Sequence, residues 1–176
     1  MTLLIMVILW SQLRQVSPFT LRALPPAFSE AARFFASDVA EDLAALTPLY
    51  SAAAEGRADV VEGLLEIMDG ISVNELATTA RRSPLWIACN NNHFDVVEIL
   101  LANGANVELS DSHGSTPLLA ASEEGHADIV RKLLQCGARR DVADVDGDTP
   151  LSLASAMGHK DVVNLLAEWS NSMSLM

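Results

Sequence analysis

One phrase recurs in this chain at a nearly fixed interval, and that recurrence limits the fold more than any local pattern does. Its clearest copy reads TPLLAASEEGHADIVRKLLQCGARRDVADVDGD from Thr116 to Asp148, and TPL begins again at Thr149. Ser83 opens SPLWIACNNNHFDVVEILLANGANVELSDSHGS, and Thr47 opens TPLYSAAAEGRADVVEGLLE. The four starts lie 36, 33 and 33 residues apart. A period of this length marks stacked supersecondary units, none of which can bury its apolar face without a neighbour.

The registers inside the units coincide. Each opens with Thr or Ser, then Pro and Leu, and an Asp stands twelve residues later at Asp59, Asp95, Asp128 and Asp161. Two β-branched residues follow that Asp each time, and Gly125-His126 and Gly158-His159 precede it, with Gly56-Arg57 and Asn92-His93 as variants. Thr47, Thr116 and Thr149 suit the N-cap of a helix whose first position tolerates Pro. Leu118, Ala121, Ile129, Val130, Leu133 and Leu134 supply the faces of a helix–turn–helix pair that stack on neighbouring units. Gly104 and Gly137 stand after the second helix, where a left-handed residue is wanted.

On these residues the chain resembles the ankyrin-repeat family, from Thr47 to about Trp169, or about 70% of its length. The resemblance implies an all-α solenoid of helix–turn–helix units joined by β-hairpin fingers. The units are 47–82, 83–115, 116–148 and 149–169. Two fingers, 105–115 and 138–148, carry Asp111 and Asp144 three residues before Gly114 and Gly147, a spacing that suits a tight turn.

Three departures stand out. The connection from Met68 to Arg82 is three residues longer, with Thr78 and Arg81 in place of the turn Asp and Gly, so an irregular or mobile finger is expected there. The family's usual His after TPL is Tyr50, Trp86, Leu119 or Ser152 here, so the hydrogen bonds of that His are missing. In the last unit Leu165 and Ala167 replace Lys132 and Leu134, which shifts the apolar stripe as suits a terminal unit.

Outside the repeats the reading is coarser. Thr2 to Trp10 is almost wholly apolar but shorter than the span of about 20 residues that crosses a bilayer. No Lys or Arg precedes it and no clear cleavage site follows. A signal-like or membrane-associated segment, a segment docked on the first repeat, and a wrongly assigned start all remain open. Pro18, Pro25 and Pro26 mark residues 1–28 as ending in an irregular linker. Ser29 to Leu46 reads as a capping helix, with Phe35, Val39, Leu43 and Leu46 on one face, and residues 170–176 read as a disordered tail.

The chain of 176 residues has a net charge of −12, of which −1 lies before Thr47 and −11 after it. That charge repels phosphate backbones and disfavours nucleic acid. It suits solubility, or a partner protein with a basic surface. Cys89 and Cys136 occupy different registers, form no disulfide framework and read as free thiols in a reducing compartment, so a cytoplasmic location is expected. A membrane-associated or secretory location is the alternative, through Thr2 to Trp10.

Nothing in the pattern argues catalysis: no nucleophile elbow, phosphate-cradling loop, zinc-helix motif or Cys-x-x-Cys is present. His93, His126 and His159 recur with the repeat. Stacked helices stand about 8–10 Å apart, too far for three such rings to share a zinc at about 2 Å. They read as structural hydrogen-bond formers at the turn between helices. Asp144 to Asp148 resembles half a calcium loop, but Thr149 stands where its sharp-turn Gly belongs and Ser155 where its bidentate Glu belongs. No metal, cofactor or small-molecule substrate is expected.

The resemblance implies that a partner protein binds across the fingers and the exposed face of the inner helices. The positions that vary there are Ala54 and Glu55, Asn90 and Asn91, Glu123 and Glu124, Ala156 and Met157 on the inner helices. On the fingers they are Ser112, His113, Ser115, Val145, Asp146 and Asp148. Tyr50 and Trp86 join them at the edge as aromatic anchors, unless Trp86 packs against the next unit instead.

Overall fold

The computed structural model describes residues 47–67 and 72–172. The apolar segment, linker and capping helix expected before Thr47 lie outside these residues, as do the last four of the expected tail. Eight helices follow in chain order: α1 Pro48–Ala54, α2 Ala58–Ile67, α3 Pro84–Asn90, α4 Phe94–Ala102, α5 Pro117–Glu123, α6 Ala127–Gln135, α7 Pro150–Met157 and α8 Lys160–Ser172. They pair into four units, each a short inner helix turning into a longer outer one. Helix α8 runs through Ser172, past the Trp169 boundary expected of the last unit.

Local chemistry starts each inner helix. Ser83, Thr116 and Thr149 are extended N-caps, and Pro follows at the first helical position. Their hydroxyls accept from the backbone N–H of Trp86 at 3.1 Å, Leu119 at 3.3 Å and Ser152 at 3.2 Å. Each bond satisfies one of the donors a helix start leaves open. Ser152 answers with a bond from Thr149 N–H to its own Oγ at 2.8 Å, closing a capping box.

Inner helices pack on inner helices, α3 on α5 and α5 on α7, while outer helices pack α2 on α4 and α6 on α8. A column of Ala52, Ala88, Ala121 and Ala154, one per unit and all buried, gives the inner helices small residues where they meet. Val61, Val97 and Val130 are wholly buried behind it, as are Leu100 and Leu133. The last unit breaks the series on its outer side. Leu49, Leu85 and Leu118 are no more than 1% exposed, but Leu151 in the same register is 43% exposed. Ser152 and Ser155 are exposed where Leu119 and Ser122 are buried, and Ala167 is exposed where Leu134 is buried. The outer face of the last described unit is thus small or polar at these positions, with Leu151 as the apolar exception.

Each expected finger is a tight turn, and among the described residues β pairing is limited to one antiparallel bridge, Ala77 with Arg82. That bridge closes the finger expected to be irregular. Ala77 and Arg82 exchange both backbone bonds at 2.9 Å, and Arg81 N–H donates to Thr78 O at 3.1 Å. Gly114 donates to Asp111 O and Gly147 to Asp144 O in the same register, both at 3.2 Å. Thr78 and Arg81 make the turn at φ 69° and 56°, left-handed values that glycine adopts freely. Asn74 ties the long connection to the next unit, since its Oδ1 accepts from Asn106 N–H at 2.7 Å.

Candidate protein-binding surface

Three histidines join the units at the C-terminal ends of the inner helices. Nε2 of His93 reaches Ala54 O at 3.0 Å, that of His126 reaches Asn90 O at 3.1 Å, and that of His159 reaches Glu123 O at 2.8 Å. A carbonyl only accepts, so each ring carries its proton on Nε2. The bonds thus run from unit to unit as well as standing at the interhelical turn. Gly56 and Gly125 make room for two of these rings: a Cβ on Gly56 would meet His93 at 2.4 Å, and one on Gly125 would meet His159 at 2.5 Å. Asn92 fills the same register in the second unit at φ 62°, and Asn tolerates that conformation better than most residues.

These links set Ala54-Glu55, Asn90-Asn91, Glu123-Glu124 and Ala156-Met157 in a row along the stack. Glu55, Asn91, Glu123, Glu124, Ala156 and Met157 are exposed, and Ala54 and Asn90 are half-buried. Asn91 Nδ2 also donates to Ala54 O at 3.0 Å, so this side chain helps to join two units. The side chains of Glu55, Glu123 and Glu124 carry the charge of the row.

The finger residues form a second row at the opposite ends of the inner helices. Helix α5 has seven residues, so its ends stand about 10 Å apart at 1.5 Å per residue. Glu123 and Glu124 therefore stand about one inner-helix length from Asp146 and Asp148, and the expected surface has two rows. Within the finger row, Asp111 and Asp144 turn inward. Asp111 Oδ1 accepts from His113 N–H at 2.8 Å and Ser115 N–H at 3.0 Å. Asp144 Oδ1 accepts from Asp146 N–H at 3.0 Å and Asp148 N–H at 2.9 Å. At the fingertips one backbone–backbone hydrogen bond links each finger to the next, Ser112 N–H to Ala80 O at 2.8 Å and Val145 N–H to His113 O at 3.0 Å. Ser112, His113, Val145 and Asp146 are left exposed at the tips, and Ser115 and Asp148 half-buried at the base.

Tyr50 and Trp86 are not surface anchors: each is only 6% exposed. Trp86 donates from Nε1 to Ser115 Oγ at 3.3 Å, and the guanidinium of Arg82 lies over its ring at 4.1 Å. Burial raises the Tyr50 pKa, and the charge of Arg82 and a hydrogen bond to it act in the opposite direction. Arg82 Nε stands 3.6 Å from Asp111 Oδ2, without a hydrogen-bond partner of its own. The two aromatics thus form a bed for a half-exposed cation. Sequence reasoning passed over Arg82, although the repeat period places it in one register with Ser115 and Asp148.

No group of His, Cys, Asp and Glu among the described residues could hold a metal ion, and none of their helices is long and apolar enough to cross a membrane. On the opposite side of the stack a shallow groove, lined by Phe94, Glu98, Asp128, Arg131, Lys132 and Gln135, is crossed by the ion pair of Lys132 with Glu98.

A family model described as ankyrin repeats in three copies matches residues 27–111, 69–144 and 85–174. The chain belongs to the ankyrin-repeat family. Ankyrin repeats serve generally as protein–protein interaction modules and are typically non-catalytic. Among known proteins the chain is similar to the ankyrin repeat and KH domain-containing protein mask-1 of Caenorhabditis elegans, 44% identical over 43 residues. That match covers 24% of this chain and 2% of the relative.

Proposed function

We propose that this protein is a non-catalytic binding module that holds a partner protein by its inner-helix ends and fingers, and that the partner's contact surface is basic. The supporting observation is the contrast within each repeat. Scaffold positions such as Leu118 and Ala121 are buried, whereas Glu55, Glu123, Glu124 and Asp146 stand exposed at positions that change from repeat to repeat. Exposed carboxylates of one sign raise the local concentration of basic partners and speed their encounter. Neither Glu123 nor Glu124 makes an ion pair within the described residues. Their replacement therefore leaves the scaffold intact.

The test uses a partner isolated by affinity capture on the whole chain. Glu123→Lys with Glu124→Lys is expected to weaken its binding about tenfold or more, chiefly through a slower on-rate that depends on salt. The thermal midpoint is expected to stay nearly unchanged. Equal affinity of the variant and the original chain for that partner would remove Glu123 and Glu124 from the surface.

A further inference from the structure

The three fingers repeat the same positions and their charge changes sign along the row: Ala80, His113 and Asp146 share one register, Arg82, Ser115 and Asp148 another, and Arg81 takes the register of Gly114 and Gly147. The first finger presents Arg81 and Arg82, the second His113 and Ser115, the third Asp146 and Asp148. Arg81 and Asp146 are exposed, and Arg82 and Asp148 half-buried. The sign change is cancelled only in part inside the row: Arg82 pairs with Asp111, whereas Arg81, Asp146 and Asp148 enter no ion pair among the described residues. The turn carboxylates of Asp111 and Asp144 are occupied by backbone N–H groups. Arg82 is held in place by the Trp86 ring beneath it, and its Nε faces Asp111 Oδ2 at 3.6 Å, an ion pair without a hydrogen bond. On the third finger Asp148 Oδ1 accepts from Ser152 Oγ at 3.1 Å, a bond that fixes the carboxylate without neutralising it. Val145, 69% exposed, stands beside Asp146 at the tip.

A row that is cationic at one end and anionic at the other fits a segment of opposite polarity in one direction only. We infer that the finger row recognises an extended segment of a partner protein, with an acidic side chain against Arg81 and Arg82 and a basic side chain against Asp146 and Asp148. First and third fingers are two repeat steps apart, about 16–20 Å, which an extended chain at about 3.3 Å per residue covers in about six residues. The apolar side chain of Val145 meets a neighbour of the basic residue. This inference rests on the reading of the chain as a protein-binding module and adds a direction and a spacing to it. It concerns the finger row, whereas Glu123 and Glu124 belong to the other row, so the two can fail separately.

The experiment selects binders to the whole chain from a displayed library of random peptides about twelve residues long, enough to span the row. The enriched peptides are expected to carry an acidic and a basic position about six residues apart, in one order along the peptide. Arg82→Gln is expected to erase the acidic preference and leave the basic one. Asp146→Asn with Asp148→Asn is expected to do the reverse, each removed charge lowering affinity for a selected peptide about two- to fivefold. The preference that survives in each variant shows that the chain is still folded. Three results overturn the inference: enriched peptides that are basic throughout, enriched peptides with acid and base in either order, or loss of both preferences in Arg82→Gln. Peptides that are basic throughout and lost on Glu123→Lys with Glu124→Lys would leave the general binding reading standing. No enrichment over a chain with both ends neutralised would overturn the inference outright.

Discussion

Two glycines separate conformation from crowding at the scale of single residues. Gly125 and Gly147 adopt similar left-handed angles, φ 80° and 87°, but a Cβ on Gly125 would strike the His159 ring while one on Gly147 would meet nothing within 4 Å. Gly147→Ala is expected to cost about 1–2 kcal/mol, the strain of the conformation alone. Gly125→Ala adds overpacking against the ring and is expected to cost about 2–4 kcal/mol. Urea unfolding of both variants measures the difference. Cys89 carries a different residue-scale signature: it is fully buried, and burial alone pushes its thiol pKa far above the ordinary range. The unfolded chain releases that proton near pH 8.5 while the folded chain keeps it, so stability falls as pH rises past this point, by up to about 1.4 kcal/mol per pH unit. Below that pH the thiol is neutral in both states and contributes no slope. Cys89→Ala is expected to remove this part of the alkaline slope, which urea midpoints between pH 7 and about 10 would reveal.

The element that sets the finger geometry is a carboxylate. Asp111 has a side chain only 2% exposed, accepts from two backbone N–H groups and faces Arg82. Asp111→Ala is expected to destabilise the chain by about 2–4 kcal/mol, because it leaves buried donors open and a cation without its counter-charge. Asp144→Ala, in a more open finger where the carboxylate has no ion pair among the described residues, is expected to cost about 1–2 kcal/mol. The thermal midpoints rank the two. Both fingers were legible in the sequence, since an Asp followed three residues later by Gly names the turn through local chemistry. The first finger was not legible. Thr78 and Arg81 gave no such signal, and the turn closes through the Ala77–Arg82 bridge and the bond from Ser112 of the next finger. The same limit applies to the candidate surface. Trp86 reads equally as anchor or packing until Arg82 and Ser115, from the two flanking fingers, are seen to cover it. The division of the surface into two rows follows from the length of an inner helix in space, which residue spacing alone does not state.

Position in the stack decides what a residue contributes to the whole molecule. Leu118 and Leu151 occupy one register, yet the first is 1% exposed and the second 43%. Leu118→Ala is expected to cost about 2–5 kcal/mol and Leu151→Ala less than about 1 kcal/mol, read from denaturant unfolding of the two variants. The period and the coinciding registers made the stacked architecture legible from the sequence, because both arise from each unit's need of a neighbour. The asymmetry of the two connections between units has a mechanical consequence. Along the helices an apolar face resists any sliding of one unit past the next, whereas at the fingertips one backbone hydrogen bond spans each gap. The stack is therefore a leaf spring, stiff at its helical back and compliant at its fingertips. A change of length imposed along the finger row is met by bending there and leaves the helical core undisturbed.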